Sequence, residues 1–164
     1  MRFEKDIKYA FLAFLIGTME AAFGKYIRVF GAVPMLTFSF CMVCAIEEEE
    51  ISYPMVLSVI CGAVSDILYG HGFGTYTIAF SFAAFYTFKL KDIIFSSEWL
   101  FLLLDIFFMT ILVQIFYMIL HLGDIGTNNF LKALWSIVLP TAVYNTAVSC
   151  FFYYVAEKIS HKRR

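Results

Sequence analysis

Apolar residues run in long blocks along this chain, and short polar or glycine-rich breaks separate them. Six blocks stand out: about Tyr9 to Gly24, Val33 to Ile46, Pro54 to Tyr69, Gly74 to Leu90, Glu98 to Leu122 and Leu131 to Val155. The breaks carry turn residues or charge: Gly31 and Pro34, the Glu47–Glu50 run, Gly70-His71-Gly72-Phe73-Gly74, and Gly123-Asp124 with Gly126-Thr127-Asn128-Asn129. A helix crosses the hydrocarbon layer with about 20 apolar residues. The fifth and sixth blocks meet that length. The second to fourth are short and must borrow flanking residues, thin the bilayer or be partly re-entrant within the protein. The pattern therefore predicts an all-α, polytopic membrane helix bundle of about six transmembrane helices, forming one domain over residues 1–164.

Composition agrees. Of 164 residues, 62% are hydrophobic and only 15% charged, and mean hydropathy is +0.81. A soluble domain this apolar would expose large greasy patches to water, whereas lipid satisfies them. A net charge of −1 argues against nucleic acid as a partner. Lys and Arg set the orientation. With six spans, one side carries Arg2, Lys5, Lys8, Lys89, Lys91, Lys158, Lys162, Arg163 and Arg164, and the other only Lys25, Arg28 and Lys132. Both termini are therefore expected in the cytoplasm. A cleavable leader is disfavoured, because the basic start also holds Glu4 and Asp6 and no small-x-small site follows.

Cys41-Met-Val-Cys44 has the spacing of a redox pair or half a metal site. No histidine or second pair lies nearby in sequence to complete a site, so these thiols are expected to be small apolar residues on neighbouring helical turns. No protease, hydrolase or nucleotide-binding motif is present. No catalytic residue, cofactor or metal is expected.

Ionisable groups inside spans are costly and need a reason. Ser58, Gly62, Asp66 and Gly70 recur every four residues and so share a helix face. Small residues there let a neighbouring backbone approach closely. Asp66 is open to two readings: a buried carboxyl bonded to another helix or nearby backbone, or a proton relay, ion site or acid catalyst. The first is favoured because no second carboxylate has an obvious place beside it. Thr141, Asn145, Ser149, Tyr153 and Glu157 repeat in the same way in the last span, where Pro140 is expected to kink the helix and free the Ser136 carbonyl. Asn145 is expected to bond across helices. Ala13, Gly17, Glu20 or Ala21, and Gly24 form a small-residue face in the first span, with Glu20 near enough to its outer end to reach water. Asp105 is expected to snorkel or to pair with a neighbour. His121 closes a polar stripe of Thr110, Gln114 and Tyr117, and is expected to be interfacial.

Pro34 at the entry to the second span, Gly62-x-x-x-Asp66-x-x-x-Gly70-x-x-x-Gly74, and Pro140-x-x-x-x-Asn145 in the last resemble the bacterial rod shape-determining MreD family. Chain length and hydropathy order match too. The Glu47–Glu50 run is outside the family pattern. The resemblance implies a fold similar to the substrate-binding subunits of energy-coupling-factor transporters. It also implies a non-enzymatic component of the cell-elongation machinery in the bacterial inner membrane, linking to peptidoglycan synthesis. Its implied partners are an MreC-like protein, with MreB, RodA and a class B penicillin-binding protein nearby. Pro34, Ser58, Gly62, Asp66, Gly70, Gly74, Pro140 and Asn145 are then candidates for helix packing or partner binding. The alternative is a small-ligand-binding subunit of a vitamin-type transporter, with Asp66 and Asn145 in the pocket.

Overall fold

A computed structural model describes residues 2–24, 26–28, 32–69, 74–94, 98–121 and 131–161. Among them the helices are α1 (Arg2–Phe23), α2 (Leu36–Glu47), α3 (Ser52–Tyr69), α4 (Thr75–Ile94), α5 (Glu98–Leu120) and α6 (Leu139–His161). They fall where the six apolar blocks predict. The fold is an all-α membrane helix bundle. Ser52–Tyr69, Trp99–Leu120 and Leu131–Lys158 are long and apolar enough to cross a membrane, while Ala10–Phe23 and Leu36–Glu47 are shorter apolar helices.

The outer helices are greasy on the outside. Phe11 and Phe14 of α1, Ile78 and Phe82 of α4, Phe108 and Leu112 of α5, and Val143 and Phe151 of α6 are all exposed. Lipid satisfies such surfaces. The shortest helix, α2, lies inside: it packs on α1, α3, α4 and α6 and touches α5. Phe38, Cys41, Met42 and Ala45 of α2 are fully buried, and Phe38 meets Phe80 of α4 with ring centroids 4.9 Å apart.

The last span begins irregularly. Leu134–Val138 forms a π-helical turn, and the Leu139 N–H donates to the Leu134 carbonyl, five residues back. Pro140 follows at once. A proline has no N–H to give and crowds the carbonyl four residues before it, and a widened turn is one way a helix accommodates this. The sequence leads to an expected kink at Pro140, and what the structure shows there is a π turn, of which the sequence carries no sign. Beyond it Thr141, Asn145, Ser149 and Tyr153 are all buried, so the four-residue stripe faces inward.

Candidate functional site

A helix of 12 residues rises about 18 Å, well short of the roughly 30 Å hydrocarbon layer. A helix this short leaves backbone N–H and C=O groups at its ends, and these are costly to leave unsatisfied wherever water is scarce. Side chains from other helices meet them. Asn145 Oδ1 on α6 accepts the Met35 N–H at 2.8 Å. Glu20 Oε2 on α1 accepts both the Thr37 N–H and the Thr37 hydroxyl, each at 2.8 Å. At the other end, the Lys91 ammonium on α4 donates to the Ile46 carbonyl at 3.3 Å and also to the Glu48 carbonyl. A carboxylate at a helix start and an ammonium at its end also match the helix dipole.

Glu20 is a correction. It does not reach water: it is 2% exposed, and the Tyr69 hydroxyl donates to its other oxygen. The small face around it packs inward, with Ala13, Gly17 and Gly24 buried. A Cβ on Gly17 would lie 2.5 Å from Val64 Cγ1 and 3.2 Å from Leu68 Cδ1, so this face receives α3.

Asp66 does for α4 what Glu20 does for α2. Its Oδ2 accepts the Gly74 N–H at 2.8 Å, the Thr77 N–H at 3.2 Å and the Thr77 hydroxyl at 2.6 Å, and its Oδ1 accepts the Tyr76 N–H at 2.8 Å. These are the N-terminal donors that a helix cannot satisfy itself. Gly74 adopts φ +103°, in the region that favours glycine, and this turns its N–H towards the carboxylate. One turn down α3, a Cβ on Gly62 would sit 2.3 Å from Thr77 Cα and 2.7 Å from Thr77 N. A further turn down, the Ser58 hydroxyl donates to Ser81 Oγ at 3.4 Å. The expected four-residue face is thus filled along its described length by the protein's own α4. Gly70 lies outside the described residues.

Asn145 completes the centre of the network. Its side-chain amide donates to Thr110 Oγ1 on α5 at 3.3 Å, and its backbone carbonyl accepts from Ser39 Oγ on α2 at 3.4 Å. Pro34 is buried beside this entry to α2. Asn145→Leu leaves the Met35 N–H without its acceptor; a loss of about 1–2 kcal/mol is expected, measured as a lower midpoint of thermal aggregation in detergent.

Rings extend the network from α3 to α5. Tyr69 and Tyr76 are 5.7 Å apart, Tyr76 stacks on Tyr117 at 5.4 Å, and Tyr117 on His121 at 4.3 Å. His121 is half-buried in that stack, rather than simply interfacial. Asp105 pairs, as one expectation had it: Thr87 Oγ1 donates to its Oδ2 at 2.7 Å. All four cysteines are free thiols, with Cys41 and Cys61 buried. Among the described residues no group of His, Cys, Asp or Glu is arranged to hold a metal ion. Sequence reading missed Thr37, Tyr69 and Lys91. No local signal marks them, because each acts on an element far away in the chain.

The arrangement spends its buried polar atoms on backbone ends and helix contacts, in an all-α membrane protein whose central helix depends on its neighbours. The chain belongs to the rod shape-determining protein MreD family, whose family model matches residues 1–163. Membership implies a role in rod shape determination. No curated protein and no solved structure matches the chain.

Proposed function

We propose that this protein is a non-enzymatic scaffold of the cell-elongation machinery in the bacterial inner membrane, with both termini in the cytoplasm. It binds an MreC-like protein and through it links to peptidoglycan synthesis. MreB on the cytoplasmic side, RodA and a class B penicillin-binding protein are the further partners of the same assembly. The match of the whole chain to the shape-determining family carries this reading. The site's chemistry supports it. Asp66 and Asn145 would have to line the pocket of a vitamin-type transporter subunit, yet their oxygens are engaged by N–H and hydroxyl groups of this same chain. Asp66 commits four hydrogen bonds to the start of α4, which fits a capping role better than that of a general acid or base.

Expression of this chain in a rod-shaped bacterium lacking its own MreD is the test. Restored rods, together with co-purification of the MreC-like protein from detergent extracts, are the expected result. Round cells that contain normal amounts of the membrane-inserted protein, with no MreC-like protein retained, would rule the proposal out.

A further inference from the structure

The last span is bolted along one part and loose along the other. From Thr141 onward its inward side chains are tied to other helices. Asn145 accepts the Met35 N–H and donates to Thr110 Oγ1. Its backbone carbonyl accepts from Ser39 Oγ, and the neighbouring Tyr144 hydroxyl donates to the Ile27 carbonyl at 3.1 Å. Thr141, Ala142, Asn145, Ser149 and Tyr153 are buried. Residues 131–138 differ. None of 131–137 is buried, and Leu131 and Trp135 are each 70% exposed. Ser136 Oγ donates to the Lys132 carbonyl at 2.7 Å, a bond that stays within the segment. Among the described residues no side-chain hydrogen bond ties 131–138 to another helix. The π turn packs on α5 and on its own continuation, α6.

Between the two parts the backbone ladder is interrupted. The Leu139 N–H, which an α-helix would aim at the Trp135 carbonyl, goes to the Leu134 carbonyl instead. Pro140 has no N–H for the Ser136 carbonyl. Two successive carbonyls thus lose their usual donors at the level where the burial of the span changes. Sharp bends in helices gather at prolines and widened turns for this reason. A bend here meets less resistance from the ladder than one farther along α6.

We propose that residues 131–138 are an arm that swings about the π turn, carrying Trp135 towards and away from α5, while α6 stays fixed. Collective motions of this kind run on microsecond-to-millisecond timescales. The bonds of Asn145 lie beyond the pivot, so the cap on α2 stays closed in every position of the arm. One end of the last span then follows its surroundings without opening the core.

Fluorine NMR of the full-length protein in detergent micelles tests this. Fluorotryptophan marks two positions, because the chain has two tryptophans. Trp135 rides on the arm. Trp99, at the start of α5, sits edge-on against the buried Tyr153 with ring centroids 4.7 Å apart and is the fixed reference. The signal missing from Trp135→Phe assigns the pair. Rotation of an exposed side chain is too fast to give relaxation dispersion, so dispersion or a split signal at Trp135 reports the arm. Either is expected at Trp135, with neither at Trp99. Pro140→Ala returns an N–H to the ladder and is expected to remove the exchange at Trp135, with circular dichroism and gel filtration confirming that the variant is folded. A second measurement needs no variant: amides of 131–139 are expected to exchange with deuterium about tenfold or more faster than those of 141–153. A single Trp135 signal without dispersion, or equal dispersion at both tryptophans, would overturn the proposal. So would exchange at Trp135 that is unchanged in folded Pro140→Ala, or amides of 131–139 protected as well as those of 141–153.

Discussion

Gly62→Ala is expected to prevent stable folding, although it adds a single methyl group. The new Cβ would lie 2.3 Å from Thr77 Cα, 2.7 Å from Thr77 N and 2.9 Å from the Tyr76 carbonyl oxygen. All three are backbone atoms in the first turn of α4, so no rotamer change relieves the contact. The helix must move away from α3, and the same movement pulls the Gly74, Tyr76 and Thr77 donors from Asp66. Overpacking typically costs 1–3 kcal/mol; with the cap also lost, about 3–5 kcal/mol is expected. Two other glycines serve as controls with different physics. A Cβ at Gly17 meets the Val64 and Leu68 side chains rather than backbone, so relief takes only a small local shift of side chains, about 1–2 kcal/mol. A Cβ at Gly74 meets nothing within 4 Å, and only its φ of +103° is unfavourable, a strain of about 1–3 kcal/mol. Gel filtration with fluorescence detection after heating should therefore rank Gly17→Ala and Gly74→Ala above Gly62→Ala. A Gly62→Ala protein as heat-resistant as Gly17→Ala would show that α3 and α4 are not in backbone contact.

The periodicities that could be read in the chain were those of faces. Ser58, Gly62 and Asp66 do share one side of α3, and Thr141, Asn145, Ser149 and Tyr153 do share the buried side of α6. A repeat of four residues says which side chains point the same way, and is silent about what covers them. The α3 face suits a partner's span as well as α4, and only the close approach of Gly62 to the Thr77 backbone shows that α4 is what covers it. Glu20 shows the same limit from the other direction. Near the end of an apolar block, a carboxyl can run out to water or turn inward, and the sequence around it is the same in both cases. The choice is made by α2, whose 12 residues leave its first N–H groups inside the protein beside α1. Shortness of the second block was visible, and the consequence that its ends need side-chain caps follows from the physics of lipid. Which residues supply those caps depends on contacts 17 and 110 positions apart, and no local pattern encodes them.

Asp66→Asn and Asp66→Leu are expected to fall in a fixed order of stability, and that order separates a cap from a catalyst. The carboxylate divides its bonds unevenly: Oδ2 takes the Gly74 N–H, the Thr77 N–H and the Thr77 hydroxyl, while Oδ1 takes the Tyr76 N–H alone. An asparagine with its oxygen in the Oδ2 place keeps three of those four bonds and sets its amide against one donor. Loss of one charge-assisted bond is expected to cost about 1–3 kcal/mol. Leucine leaves all four donors unmet at the start of α4, where water is scarce, and about 4 kcal/mol or more is expected. Thermal midpoints in detergent should run wild type, Asn, Leu. Cellular abundance should follow the same order, and rod-shape rescue should follow abundance. For a proton relay or acid catalyst the outcome differs: Asp66→Asn would be present at wild-type levels with wild-type stability and yet fail to support function. Rescue measured at matched abundance distinguishes the two, because a capping residue predicts that Asp66→Asn regains function when its expression is raised, while a chemical role predicts that it does not.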